Sequence, residues 1–168
     1  MAAMNTFFIL SAKYLFVVPL IIMLVYFFRQ PRPNQKQIAV FSLIALLLSY
    51  VLGLVAGHLY FDPRPFVVGH FTPLIPHIAD NGFPSDHALL VSAVAAVGMF
   101  LNRKLGWWLW LLAVVVAVAR VYVGVHHATD VIGSFVISLF ATSLVYYVLA
   151  KTRLSPKFSL LRRPRNFS

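Results

Sequence analysis

Residues 106–150 read GWWLWLLAVVVAVARVYVGVHHATDVIGSFVISLFATSLVYYVLA, with Arg120 and Asp130 as the only charged side chains. Two apolar runs, 106–123 and 130–150, flank a short polar connection containing His126 and His127. About 20 predominantly apolar residues in a helix cross the hydrocarbon core of a bilayer. The pair therefore reads as two antiparallel membrane helices joined by a tight turn, with ionisable groups gathered at the turn.

Working outward, the same criterion marks runs at 6–28, 38–61 and 85–101, and the two shortest, 85–101 and 106–123, should extend into their polar flanks. The expected fold is an all-α integral membrane bundle of about five transmembrane helices, a single domain over residues 1–168 with a basic tail at 151–168. The composition agrees: 61% of the residues are apolar, the mean hydropathy is +0.85 and only 18 side chains are charged. Such a chain cannot hide its apolar surface in a water-soluble core. The first run lacks a basic flank in front of it, is too long for a signal-peptide core and has no small-residue cleavage site behind it, so it is expected to be a permanent span.

The net charge of +10 does not indicate a nucleic-acid partner, because the basic residues form short runs beside apolar spans rather than one polar face. Arg29, Arg32 and Lys36 occupy the first connection, and Arg103 and Lys104 the third. Lys151, Arg153, Lys157, Arg162, Arg163 and Arg165 occupy the tail. These three segments alternate correctly for five spans, so the positive-inside rule places them and the C-terminus in the cytoplasm and the N-terminus outside. The tail also suits anionic lipid headgroups, and Trp107, Trp108 and Trp110 sit where an interfacial aromatic belt is expected.

The remaining connections, 62–84 and 124–129, then open on the extracytoplasmic side. All six histidines and all four aspartates of the chain lie between His58 and Asp130, and there is no glutamate or cysteine. Chemistry must therefore come from His, Asp, Arg, Ser or Lys. Five prolines (Pro63, Pro65, Pro73, Pro76 and Pro84) stiffen the longer connection, which is expected to be a non-helical surface loop.

Three clusters in this window suit an anion. In Arg120, His126 and Asp130, the four-residue step from His126 to Asp130 lets a carboxylate orient the imidazole if the last helix begins near His126, leaving the other ring nitrogen as nucleophile or base. Arg120 presents a planar fork matched to phosphate. In Pro84-Ser85-Asp86-His87, Ser85 or Asp86 can cap a helix whose N-terminus faces an anion, and His87 in its first turn can donate a proton. Arg64, between Pro63 and Pro65, is the only Lys or Arg in an extracytoplasmic loop where cations are disfavoured, which points to a local anion clamp. Taken singly, Arg120 also suits a headgroup contact, Ser85 and Asp130 a helix cap and Arg64 a mobile surface position. The combination favours a phosphate site.

The order Arg64-Pro65, then Pro84-Ser85-Asp86-His87, then Arg120, His126 and Asp130 resembles the three-part signature of the type 2 phosphatidic acid phosphatase superfamily. The resemblance spans about 67 residues. It implies that His126 attacks phosphorus to form a phosphohistidine, that Asp130 orients it and that His87 protonates the leaving group. Arg64, Ser85 and Arg120 would hold the phosphoryl oxygens, with no metal and no cofactor. Asp86 stands where glycine is common in the family, which resembles the bacitracin-resistance branch of bacterial undecaprenyl pyrophosphate phosphatases. The implied substrate is a lipid pyrophosphate, reached from the outer leaflet of a bacterial cytoplasmic membrane.

Gly57 occupies the position of a family lysine. His58 beside it and Lys13 in the first span are candidates for the lost contact, and Asp86 is expected to pair with Arg64, Arg120 or a cation. Gly53 and Gly57 also form a small-residue pair suited to close helix packing. His127 is expected to pack at the interface, and His70 and His77 to meet the lipid headgroup or nothing. Other lipid phosphates, phosphatidate or phosphatidylglycerol phosphate, keep the same chemistry. A small transporter or proton conduit would place its ionisable groups near midplane on several helices. A metal centre on His126 and Asp130 would be opposed by the arginines beside it.

Overall fold

The computed structural model describes residues 1–150, and the basic tail lies outside the described residues. The first apolar run is not one straight helix. It forms α1 (Ala2–Tyr14) and α2 (Val17–Phe28), bent by 50° at the break between them. Pro19 explains the bend, since it has no N–H to offer the Leu15 carbonyl and its ring crowds that oxygen. The carbonyl is taken instead by Val18 N, at 3.0 Å.

Four further long or short helices complete the set with α7: α3 (Arg32–Leu59), α4 (Pro65–Val68), α5 (Asp86–Leu101), α6 (Arg103–Tyr122) and α7 (Ala128–Ala150). The helices α3, α6 and α7 are each long and apolar enough to cross a bilayer, and the bent α1–α2 pair makes a fourth candidate span. At 16 residues α5 is about 24 Å long, short of a hydrocarbon core of about 30 Å. It compensates by lying inside the bundle rather than against lipid.

Composition suits α5 to the centre. Ala88, Val91, Ala93, Ala95, Ala96 and Gly98 are small and buried, so neighbouring helices approach closely. Val91, Val94 and Ala95 pack on Leu109, Ala113 and Val116 of α6, while Val97 and Leu101 meet Phe41 of α3 and Val145 of α7. Ser138 Oγ of α7 donates to Ser92 Oγ of α5 at 2.8 Å, an interhelical bond that satisfies two buried hydroxyls. A single residue, Asn102, joins α5 to α6, and its side chain caps α6 by accepting from Leu105 N at 3.1 Å. The outer faces are apolar: Leu43, Leu47 and Val51 on α3 and Ile132, Val136 and Phe140 on α7 are all at least half exposed. Lipid, not water, is the solvent such faces fit.

The expected non-helical loop between α3 and α5 contains one helical turn, α4, because Pro65 is preset for a first helical position. The loop folds onto the end of the bundle rather than standing free. Ile75 is buried against Ala12, Ala119 and Val123, and Pro63 forms a bridge with Asn81. The α6–α7 turn passes through Gly124 at φ +81°, where Phe71 of the loop leaves no space for a side chain. Both polar segments thus meet at one end of the bundle.

Candidate active site

Arg64 precedes α4 and is only 5% exposed, held from several directions. Its Nε donates to Asp80 Oδ1 at 2.5 Å, its Nη1 to the Val125 carbonyl at 2.8 Å and its Nη2 to the Asn81 carbonyl at 3.3 Å. Asn81 is itself anchored: Nδ2 donates to the Gly57 and Tyr60 carbonyls, and Oδ1 accepts from the Asp62 and Phe83 amides. Partial burial works to raise the Asp80 carboxyl, but the hydrogen bond and charge of Arg64 outweigh it and hold it below the ordinary carboxylate value.

Arg120, in the last turn of α6, is buried and does not snorkel. Its Nη2 lies 3.3 Å from His126 Nε2, and Arg64 Nη1 lies 3.3 Å from the same nitrogen. Two guanidinium groups therefore converge on one imidazole nitrogen. The other nitrogen, Nδ1, is 3.0 Å from the Gly82 carbonyl and 3.2 Å from Asp130 Oδ2. A carbonyl only accepts, so Nδ1 carries the proton and Nε2 keeps its lone pair. Burial pushes the His126 imidazole below its ordinary value; the Asp130 hydrogen bond opposes this, and the charges of Arg120 and Arg64 add to it. Near neutral pH the ring is uncharged and nucleophilic.

The last helix begins at Ala128, two residues later than the spacing suggested, so His126 sits in the turn before it. The His126–Asp130 contact forms all the same, because Asp130 faces back from the first helical turn. Its Oδ2 also accepts from His127 N at 2.8 Å, as an acidic residue at the third helical position does for the residue before the helix. Asp130 is fully buried. Gly82 lies against it: a Cβ there would meet Asp130 Oδ2 at 3.0 Å.

Ser85 precedes α5, yet its side chain makes no capping bond. Its backbone N donates to the Asp130 carbonyl at 3.4 Å, and Ser134 Oγ bridges the Ser85 and Asp130 carbonyls at 3.0 and 2.7 Å. The fully buried Ser85 hydroxyl has no partner in the protein and is free to donate to an anion. His87 is half-buried, its ring edge-on to Phe16 at 4.9 Å. Among the described residues there is no group of three or more His, Cys, Asp or Glu that could hold a metal ion.

The profile of the PAP2 superfamily matches residues 38–154, from within α3 through the whole of α7. The chain belongs to the PAP2 superfamily. It is 35% identical over 135 residues to undecaprenyl-diphosphatase BcrC of Bacillus subtilis (strain 168), covering 80% of this chain and 63% of that protein. The chain thus spans less than two thirds of that relative's length. The fold resembles the crystal structure of Aquifex aeolicus LpxE, with a TM-score of 0.67, 22% identity and 86% of each chain covered. It also resembles the first transmembrane PAP2 type phosphatidylglycerolphosphate phosphatase from Bacillus subtilis, with a TM-score of 0.64 and 26% identity over 90% of this chain and 78% of that one.

Within this PAP2 fold the outlying candidates separate. Asp86 does not pair with either arginine: Asp80 occupies Arg64, and Arg120 faces His77 and His126. Asp86 is exposed and lines a cavity of about 220 Å³ with Arg64, Asp80 and His58. His58 turns its Nδ1 to the Leu54 carbonyl at 2.8 Å and stands on that cavity's exposed wall. Lys13, exposed near the end of α1, makes no polar contact among the described residues. His127 donates from Nε2 to the Pro63 carbonyl at 3.1 Å, and Thr129 Oγ1 donates to Asp62 Oδ2 at 3.2 Å, so both pin the loop. His70 is exposed at φ +49°.

Two contributors, Asp80 and the Gly82 carbonyl, had no assigned role in the sequence, and His77 was expected to meet the lipid headgroup or nothing. Asp80 and His77 grip the two arginines, and the Gly82 carbonyl sets the His126 tautomer. The only signal in the sequence was the turn-like Asp80-Asn81-Gly82, which carries no hint of its partners.

Gly57 is explained by packing. A Cβ there would lie 2.9 Å from the Phe83 carbonyl oxygen, a backbone atom with little freedom to move. Gly57→Ala is expected to destabilise the protein by about 1–3 kcal/mol, read as a lower thermal unfolding midpoint in detergent. An unchanged midpoint would show that the α3–loop contact is looser than its geometry.

Proposed function

We propose that the protein is an integral membrane lipid phosphatase that removes the terminal phosphate of undecaprenyl pyrophosphate on the extracytoplasmic side of a bacterial cytoplasmic membrane. The observation that carries the reading is the convergence of Arg64 and Arg120 on the unprotonated Nε2 of His126, with Nδ1 locked from behind. A phosphoryl group at Nε2 would have both guanidinium groups within reach of its oxygens. Ser85 Oγ supplies a further buried donor.

Chemistry follows from this placement. His126 Nε2 forms an N–P bond as the P–O bond to the polyprenyl phosphate breaks, and His87, charged by a proton taken up from solvent as the anion binds, gives that proton to the departing oxygen. Water then attacks the same phosphorus, losing a proton to His87. The N–P bond breaks and orthophosphate leaves. Negative charge redistributes over oxygens held by fixed cations in a site screened from water, where such donors act most strongly. Asp130 and the Gly82 carbonyl keep the ring in one tautomer and steady the positive charge that forms on it.

A lipid substrate suits the surroundings. The polar cavity at Arg64 shares Tyr50, Asp86 and Leu89 with an apolar cleft of about 230 Å³ between α3 and α5, reached by Leu46, Leu90 and Ala93. The first part of a lipid chain fits the apolar cleft, with its headgroup reaching His126 past Arg64, because His126 itself lines a separate cavity of about 410 Å³ with Phe71, Tyr122 and His127. Undecaprenyl pyrophosphate is favoured over other lipid phosphates by the 35% identity to BcrC. The outward-facing site rests on the distribution of Lys and Arg among the connections.

The test is orthophosphate release by the purified protein in detergent. Undecaprenyl pyrophosphate is expected to be cleaved at least about tenfold faster than phosphatidate, with no loss in EDTA. Faster cleavage of phosphatidate would move the substrate to another lipid phosphate. Loss of activity in EDTA would contradict the metal-free mechanism.

A further inference from the structure

His77 belongs to none of the three motif segments, yet its Nε2 lies 3.3 Å from Arg120 Nη2, the same nitrogen that is 3.3 Å from His126 Nε2. The two imidazoles flank one guanidinium nitrogen, with ring centroids 6.2 Å apart. Nδ1 of His77 is 3.2 Å from the Ile78 carbonyl, so it carries a proton and directs Nε2 at Arg120. A phosphoryl group bonded to His126 Nε2 and gripped by Arg120 must therefore bring an oxygen close to His77.

Resting on the phosphatase reading above, we infer that His77 is a direct ligand of the phosphoryl group. Without substrate, neutral His77 accepts from Arg120. With the anion in place, His77 takes a proton from solvent and donates it from Nε2 to a phosphoryl oxygen, and Arg120 turns its N–H to the phosphate as well. His77 gains only that N–H proton and forms no bond to phosphorus. The site thus gains a third cation only when an anion is there to balance it.

The groups facing His77 make this exchange possible. Arg120 of α6 and Arg64 of the loop disfavour its charge, and Asp80 of the loop favours it. His126 of the α6–α7 turn faces its ring, and His87 of α5 is close enough to feel its charge. α1, which packs on the neighbouring Ile75 through Ala12, contributes no charged group. In the free protein burial pushes the His77 imidazole below its ordinary value; the Ile78 carbonyl opposes this, and the two arginines add to it. A bound phosphate neutralises the arginines and removes their share, so binding and protonation are linked. Linkage sets the sign: the contribution of His77 is present at low pH and is lost as pH rises through the value His77 takes in the complex.

The experiment compares kcat/KM for undecaprenyl pyrophosphate between about pH 5.5 and 8.5 in wild type, His77→Gln and His77→Lys. Ratios to wild type cancel the ionisation of the substrate. His77→Gln is expected to lose about tenfold at the acid end and to approach wild type at the alkaline end. His77→Lys, charged throughout, should match wild type in acid and exceed it in alkali. His77→Asn serves as a second non-titrating variant should Gln not fold. A role limited to holding Arg120 predicts the reverse, since only the neutral ring accepts. A deficit that is constant or grows with pH, or a lysine variant as poor as glutamine, would overturn the inference. The phosphatase reading is judged separately, by whether wild type releases phosphate and His126→Ala does not.

Discussion

His126→Ala is expected to slow orthophosphate release by about ten-thousandfold or more, the scale seen when the nucleophile of a covalent mechanism is removed. Everything around His126 is arranged for Nε2: two arginines face it at 3.3 Å, and its ring is 3% exposed. Alanine leaves the arginines and Ser85 in place, so the substrate should still bind. The loss should appear in kcat, with KM changed only a few-fold. Single-turnover phosphate release in detergent measures it. A variant retaining a tenth of wild-type activity would show that water, not His126, attacks phosphorus.

Asp130→Asn is the second large effect, about a thousandfold in kcat. The carboxylate lies fully buried and its Oδ2 accepts from both His126 Nδ1 and His127 N. Both bonds go to the same oxygen, so an asparagine oxygen there keeps them without the negative charge, whereas the turned amide sets its NH2 against His127 N and His126 Nδ1 and favours a proton on Nε2 instead. That is the nitrogen that must attack. The imidazolium formed during transfer also loses its counter-charge. Because the variant is nearly isosteric, its thermal midpoint in detergent should move little while kcat collapses. If kcat stays within tenfold of wild type, the Gly82 carbonyl alone sets the tautomer.

Much of this site was legible in the residues. Membrane helices show plainly because lipid demands long uninterrupted apolar runs, and the positions of Arg64, Ser85, Arg120, His126 and Asp130 follow from where those runs end. Arg120 and Ser85 were each open to an interfacial or capping role. Burial of Arg120 and the absence of a cap bond at Ser85 removed those roles. The break at Leu15–Phe16 was not expected in the run 6–28; Pro19 is its local cause, but a proline within a membrane helix leaves the size of the bend to its neighbours. Least legible was the loop. The contacts of His77 and Asp80 with arginines 43 and 16 residues away depend on how α4 and the Pro63–Asn81 bridge fold it back. No local pattern encodes such a path. At Gly57 the small-residue pair with Gly53 suggested close helix packing, but the group that approaches it is the Phe83 carbonyl of the loop, which no sequence pattern shows.

In the proposed mechanism His126 Nε2 becomes covalently bonded to phosphorus. Rapid quenching in base of the reaction with undecaprenyl pyrophosphate carrying a labelled terminal phosphate, followed by peptide mapping, tests it most directly. A base-stable, acid-labile phosphoryl group is expected on the peptide containing His126, formed and lost at rates consistent with turnover. Label on another residue, or full-rate phosphate release with no labelled protein at any time, would contradict it.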